Sequence, residues 1–398
     1  MTYHPPHAYP PVPQPPRRGP GPLRTLAIVF SAVTLAALVG VGFLVSGLHR
    51  TSMDRAFEPG SGYGSQQTGQ SQQTVDADSV AGKVSPGLVN INTTLGYQGA
   101  QAAGTGMVLT AGGEVLTNNH VVEGATSISV TDVGNGKTYG AKVVGYDRTE
   151  DVAVLQLQNA SGLKTVTTGN SSSVKVGDAI VGLGNAGGQG GEPSVAQGTV
   201  TALDQDITAS DESSGSSEQL TGLIEVNADI KSGDSGGALA NSSGQVVGMN
   251  TAASTGYSMG PRHGGGQTTQ GGTGYAIPVN QALTIAHQIE SGKASDTVHI
   301  GSSAFLGVSV SDSGQGAGQD SAQGALVQQV VSGGAAEQAG LAAGDTLTTI
   351  NGKTVDSATT LTELMDTFHP GDHVTLTWVD QTGQQQSGSA TLAEGPVG

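Results

Sequence analysis

From Val80 onward the chain is a succession of short apolar runs broken by turn residues, and that texture narrows the choice of fold more than any other feature. LVNINTTL, TGMVLT, EVLTNNHVV, SISVTDV, AKVVGYD, VAVLQL, AIVGLG, AQGTVTAL, LIEVNA and QVVGMNTA follow one another with turn residues between them. Several alternate apolar with polar or small residues, the period of a strand with one buried face. Repeated short strands over about 200 residues predict an all-β barrel or a pair of barrels. The 64 glycines show no collagen period, so they belong to turns, loops and linkers. One helix closes the region: Asn280 is its expected cap, Leu283, Ala286 and Ile289 form its apolar face, and Gly292 ends it. Two stretches, 204–219 (acidic, Ser-rich) and 254–272 (Gly-rich), read as surface loops without calcium-loop spacing.

Ahead of this region lie three segments with no place in a barrel. Nine of the 16 prolines fall in the first 22 residues, within a tail spanning 1–25, and proline at that density gives a solvated, polyproline-like chain. Residues 26–48, LAIVFSAVTLAALVGVGFLVSGL, carry no charge. A bilayer core needs ~20 apolar residues, so the expectation is a transmembrane helix. A secretory signal would be shorter, ~7–15 apolar residues, and Ala-x-Ala is missing where cleavage would fall. Arg17, Arg18 and Arg24 precede the span, which places the tail in the cytoplasm and everything after it outside. Residues 49–79 are mostly polar and rich in Gly, Gln and Ser, a flexible linker.

The expected first domain is 80–293, then a junction, then a second domain over 302–393. The latter has strands at FLGVSV, GALVQQV, DTLTTING and HVTLTWV. It also has a short helix over 334–339 and a longer one over 358–368, with Leu361, Leu364, Met365 and Phe368 on one face. The chain has no cysteine, which excludes disulfides, zinc fingers and a thiol nucleophile. Its net charge is −17, and an acidic surface repels phosphate backbones, so nucleic acid is not an expected partner. No metal or cofactor is expected.

The chemistry gathers in three places. Gly233-Asp234-Ser235-Gly236-Gly237 is a small-residue turn in which a serine can be exposed and the amides of Gly233 and Ser235 can meet a developing oxyanion. A serine hydroxyl needs a base, and the base needs an orienting carboxylate. His120 ends the run VLTNNHVV, and Asp151 opens DVAVL. Taken singly, each has a bland reading, a structural histidine and a strand-end cap. Together they give the order His, Asp, Ser within an all-β pattern, the chain order of the chymotrypsin arrangement.

LTNNHVV, DVAVLQL, GDSGGAL and GYAIPV resemble the signature segments of the HtrA/DegP family, trypsin-like serine proteases followed by PDZ domains. Phe305, Leu306, Gly307 and Val308 resemble the PDZ loop whose amides capture a peptide carboxylate. Gly340-Leu341, Gly344-Asp345 and Ile350-Asn351-Gly352 resemble a further PDZ segment. The tail, anchor and linker are similar to membrane-anchored actinobacterial members. The resemblance implies a double-barrel (chymotrypsin-like) protease plus an α+β PDZ domain, and catalysis by His120, Asp151 and Ser235. It implies an oxyanion hole from Gly233, Asp234 and Ser235, and C-terminal peptide capture beside Leu361, Leu364 and Met365. Substrates would be unfolded or misfolded exported proteins, and the assembly a homotrimer. The family commonly has Asn-Pro-Gly-Asn-Ser where this chain has Lys231-Ser232-Gly233-Asp234-Ser235, so Asp234 needs a partner of its own. Asp229, Met249 and Asn250 stand where the primary specificity pocket would be. An Asp at that spacing favours Lys or Arg before the cut, whereas the family prefers small aliphatic residues. Pairing of Asp229 with Lys231 is the bland alternative. The competing readings of the whole are a catalytically silent PDZ scaffold and a membrane-linked structural or sensor protein.

Overall fold

The structure is a computed structural model that describes residues 75–210, 217–253, 272–312 and 323–398. The tail, the apolar run 26–48 with the expected membrane anchor, most of the linker, and all but the last residue of the Gly-rich stretch 254–272 lie outside the described residues. Among the described residues no helix is long and apolar enough to cross a membrane.

The first described element is α1 (Ala77–Val84), which starts within the stretch expected to be linker. Asp76 caps it, its carboxylate accepting from the Ser79 amide at 3.1 Å, and Ala77, Val80 and Val84 are buried. Three apolar residues at helical spacing are too sparse a signal for periodicity, but they seat the helix against the main core.

The first barrel runs β1 (Leu88–Leu95), β2 (Ala100–Val108), β3 (Glu114–Thr117), α2 (Asn119–Val122), β4 (Ser127–Asp132), β5 (Thr138–Asp147) and β6 (Val152–Leu157). Its order is β5-β4-β1-β2-β3-β6, and pairing of β5 with β6 closes the ring. The second barrel is β7 (Ala179–Gly184), β8 (Ser194–Ser210), β9 (Ser217–Asn227), β10 (Ala238–Asn241), β11 (Val246–Ala253) and β12 (Thr273–Pro278), closed in the order β10-β11-β12-β9-β8-β7. Closure leaves no free edge in either ring.

The stretch 204–219 is therefore not all loop, and its residues 211–216 lie outside the described residues. Its flanks extend the β8–β9 hairpin in register Ile207↔Leu220 and Thr208↔Gln219. Ile207 and Leu220 pack on the main core, while Thr208 and Gln219 are exposed, so a polar composition does not preclude strands here.

Helix α3 (Val279–Glu290) buries Ala282, Ile285, Ala286 and Ile289. Asn280 is not its cap. Pro278 holds that position, and Asn280, within the first turn, donates to Asn170 Oδ1 at 2.8 Å and Ser172 Oγ at 3.2 Å.

The junction contains a strand, β13 (Val298–Ile300), paired with β5 at the rim of the first barrel. Beyond it lies an α+β module: β14 (Ala304–Phe305), β15 (Val308–Asp312), β16 (Ala325–Val330), α4 (Ala335–Ala339), β17 (Thr346–Ile350), β18 (Lys353–Thr354), α5 (Ala358–Met365), β19 (His373–Val379), β20 (Gln385–Thr391) and β21 (Ala393–Glu394). Strand β15 is the edge of the sheet β15-β16-β17-β19-β20. Helix α5 stops at Met365, with Asp366 at its C-cap, three residues short of the expected end.

After β21 pairs with β14, the chain returns to the first barrel. Gly124 donates to the Val397 carbonyl at 2.7 Å, and Val397 donates to the Ala125 carbonyl at 3.0 Å. Between barrel and module, Arg148 Nη1 lies 3.0 Å from Asp366 Oδ2, and the Tyr146 hydroxyl donates to Asp366 Oδ1 at 3.1 Å.

Candidate active site

Each member of the proposed triad stands in a connection between strands. β3 ends at Thr117, and the chain turns at once into α2, the single helical turn that carries His120. Asp151 sits in the tight turn between β5 and β6 in the left-handed region, φ 53°. A non-glycine residue there is strained, and such strain collects at functional sites.

Asp151 is fully buried, and the protein surrounds its carboxylate with donors. The His120 amide donates to Oδ1 at 3.0 Å, and His120 Nδ1 lies 2.9 Å from Oδ2 and 3.0 Å from Oδ1. Thr251 Oγ1 donates to Oδ2 at 2.7 Å, and Asn118 Nδ2 donates to the Asp151 backbone carbonyl at 2.9 Å. A nitrogen facing a carboxylate carries the proton, so neutral His120 keeps its lone pair on Nε2. Thr251 gives no sequence signal: one hydroxyl in a β-strand is commonplace.

The serine turn uses glycine where nothing else fits. Gly236 has φ 80°, and a Cβ there would run into the Thr105 carbonyl and the Thr117 hydroxyl. Gly233 has φ 94° and packs as tightly on the Asn185 carbonyl. The Ser232 carbonyl accepts from the Gly187 amide at 2.7 Å, and the Asp234 carbonyl from the Gly237 amide at 2.9 Å. In a trans peptide the N–H points opposite its C=O, so the amides of Gly233 and Ser235 face away from these contacts. Neither donates to an acceptor among the described residues.

The Asp234 amide differs. It donates to the Lys231 carbonyl at 2.9 Å and is not available to an oxyanion, which corrects the expectation that it joins the hole.

The Asp234 side chain finds its partners within the domain. Ser194 Oγ donates to Oδ1 at 2.6 Å and the Lys231 amide to Oδ2 at 2.9 Å. Burial pushes this carboxyl above the usual range, against those hydrogen bonds and the charge of Lys231.

Ser235 Oγ donates to the Thr251 carbonyl at 3.1 Å, and no Ser235–His120 hydrogen bond joins the described residues. The structure thus holds His120 and Asp151 together, with the Ser235 hydroxyl turned to the Thr251 carbonyl. Catalytic hydrogen bonds are often loose without substrate.

The residues expected at the specificity pocket are otherwise occupied. Asp229 and Lys231 pair at 2.8 Å with their side chains 65% and 59% exposed. Met249 is fully buried in the main core. Asn250 Nδ2 donates to the carbonyls of Leu183 and Ala238 at 3.2 and 3.3 Å, which ties strands of the second barrel together. None of the three forms a charged pocket floor.

In the second module, the carbonyls of Leu306 and Gly307 accept from Ala336 and Val331 at 2.9 and 2.8 Å. The Gly307 and Val308 amides are thereby turned the other way. A cavity of about 250 Å3 opens beside them, lined in part by Phe305, Leu306, Gly307, Val308, Leu361 and Met365. Leu361 is buried in the module's core, and Leu364 and Met365 are half-buried against it.

Residues 104–249 match the family model for the trypsin-like peptidase domain, and residues 304–383 match that for the PDZ domain. Serine protease PepD of Mycobacterium tuberculosis is 35% identical over 80% of this chain and 66% of its own length. The periplasmic pH-dependent serine endoprotease DegQ of Escherichia coli is 36% identical over 69% of this chain and 56% of its own. A solved structure, the HtrA-type protease AlgW with tripeptide, aligns over 81% of this chain and 98% of that one at 27% identity and a TM-score of 0.44. The chain spans between about half and two thirds of the length of these curated relatives. With its trypsin-like peptidase domain followed by one PDZ domain, the chain belongs to the HtrA/DegP family of serine endopeptidases.

Proposed function

We propose that this chain is a membrane-anchored serine endopeptidase that cleaves misfolded or regulatory exported proteins through an acyl-enzyme. The observation that carries the reading is the fully buried Asp151 gripping His120 beside a serine turn whose Gly233 and Ser235 amides are unspent. Ser235 Oγ swings from Thr251 to His120 Nε2, loses its proton there and attacks the scissile carbonyl. The Gly233 and Ser235 amides meet the oxyanion. His120 returns the proton to the leaving amine, and water then repeats the sequence on the ester. Asp151 holds the tautomer and stabilises the imidazolium. Since neutral imidazole is the base, activity falls on acidification.

The PDZ module would take a C-terminal peptide as an added strand along the open edge of β15, its carboxylate on the Gly307 and Val308 amides. A small aliphatic residue before the cut is the preferred specificity, consistent with Asp229 being paired outward with Lys231. Anchoring through residues 26–48, an extracytoplasmic protease and PDZ domain, and a homotrimer complete the proposal.

The test is digestion of an unfolded model protein by the purified chain, wild type against Ser235→Ala, with cleavage sites mapped. Undiminished proteolysis by Ser235→Ala would end the reading. A silent PDZ scaffold draws its one support from the Ser235–Thr251 bond, and labelling of Ser235 by a fluorophosphonate would dismiss it.

A further inference from the structure

The backbone that carries Gly233 is held by hydrogen bonds more than by its own torsions. At φ 94° a residue without a Cβ meets little torsional resistance to rotation of its peptides. Its carbonyl accepts from Thr105 Oγ1 at 2.8 Å, and Thr105 Oγ1 itself accepts from the Asn185 amide at 2.8 Å. A carbonyl can only accept and an amide can only donate, so the one hydroxyl proton is committed to Gly233. The backbone of Thr105 is engaged as well. Its amide donates to the Ser235 carbonyl at 2.8 Å, and its carbonyl accepts from Thr117 Oγ1 at 2.7 Å. Thr105 is 1% exposed, so water does not replace these bonds. Asn185 in turn leads into the segment whose Gly187 amide fixes the Ser232 carbonyl at 2.7 Å.

We propose that Thr105, on β2 of the first barrel, is the positioning residue of the oxyanion hole. Its hydroxyl locks the Gly233–Asp234 peptide plane and the start of the 185–190 segment together, and so keeps the Gly233 amide on the substrate side. The inference rests on the reading of Gly233 and Ser235 as oxyanion donors. Thr105 itself touches no reacting atom. Without the hydroxyl, the buried Gly233 carbonyl and Asn185 amide both lose their partner, and such groups rearrange to recover one. Release of Asn185 loosens the segment whose Gly187 amide holds the Ser232 carbonyl, and rotation of the Ser232–Gly233 peptide then carries the Gly233 amide off the oxyanion. The loss then falls on the transition state and leaves substrate docking alone.

Thr105→Val keeps the side-chain shape and both backbone bonds, whereas Thr105→Ser keeps the hydroxyl. In the full chain, Val is expected to lower kcat about ten- to a hundredfold, less than the 10²–10³ that follows outright loss of an oxyanion donor. KM should stay within about threefold, the pH profile should not move, and Ser should lie within about threefold of wild type. Wild-type kcat in the Val variant, equal loss in Ser and Val, or a change confined to KM would each overturn the assignment. If the Val variant does not fold, Thr105→Cys, with a weak donor, should give an intermediate kcat, and wild-type turnover in Cys would overturn it. A crystal structure of the Val variant supplies a readout that needs no turnover. A rotated Gly233 peptide supports the assignment, and an unmoved one refutes it. That comparison stands even if the wild-type chain cleaves nothing, a result that would sink the protease reading instead.

Discussion

Removing the Asp366 carboxylate should loosen the PDZ module in a way its single tryptophan can report. Asp366 receives Arg148 at 3.0 Å and the Tyr146 hydroxyl at 3.1 Å, both from the first barrel. The Arg148 and Asp366 side chains are 25% and 27% exposed, too covered for water to replace the pair freely. Hydrogen bonds to charged groups contribute about 1.5–3 kcal/mol each. Burial, however, pushes the Asp366 carboxyl up despite Arg148, so ionising it in place offsets part of that gain. Asp366→Ala is therefore expected to cost about 2–3 kcal/mol. Trp378, the only tryptophan, is buried in the PDZ core, so its fluorescence follows that module alone. With a urea slope of about 1.5 kcal/mol per molar, the Trp378 midpoint should fall by roughly 1–2 M. Arg148→Ala, in the other domain, should move the same midpoint, and the double variant should add little. A Trp378 midpoint that Arg148→Ala leaves in place, or a fully additive double variant, would refute the reasoning. The pH dependence has a sign of its own. A carboxyl raised by folding contributes stability below its unfolded value and loses it as pH rises through its native one, so Asp366→Asn should gain on wild type from acid to neutral pH.

Asp234→Asn should retain activity, because an amide can donate to Ser194 and accept from the Lys231 amide. The stability of the wild type relative to this variant should decline as pH rises, since burial raises the Asp234 carboxyl; parallel thermal denaturation at acid and neutral pH checks this. Gly236→Ala should abolish turnover or folding, since its Cβ collides with Thr105 and Thr117; soluble yield and fluorophosphonate labelling separate the two outcomes, and an active variant would contradict the backbone geometry. A peptide with a free C-terminus should bind the PDZ module and its amidated form should not, by fluorescence anisotropy, and equal affinities would remove the carboxylate from the recognition scheme.

The strands and the candidate triad were legible because both leave local marks. Alternation marks a half-buried strand, and His120, Asp151 and Ser235 each follow or open an apolar run at a strand end. What escaped depends on contacts distant in sequence. Thr105 and Thr251 look like ordinary strand hydroxyls until Gly233 and Asp151 arrive from 128 and 100 residues away. Helix α1 and strand β13 are too short to carry a period and exist because the barrels offer them a seat. Asp229 matched a spacing, but spacing says nothing of direction, and the chain turns it toward Lys231 and solvent. Asn280 had the right chemistry for a cap two residues from the right place, and tertiary partners at 170 and 172 claimed it.

The PDZ module is fastened to the first barrel at both of its ends, by β13 on entry and by Val397 on exit. A body pinned at one point can swivel in every direction, whereas one pinned at two can only turn about the line between them. Once the Asp366 contacts to Arg148 and Tyr146 are broken, whatever movement the module makes while those two seams hold is that of a door on its hinges. A peptide end captured along β15, as proposed, would then be confined to the same arc. The distance from a substrate's captured terminus to its cut bond then becomes a property of the fold, and fragments released from such substrates should cluster around a preferred length.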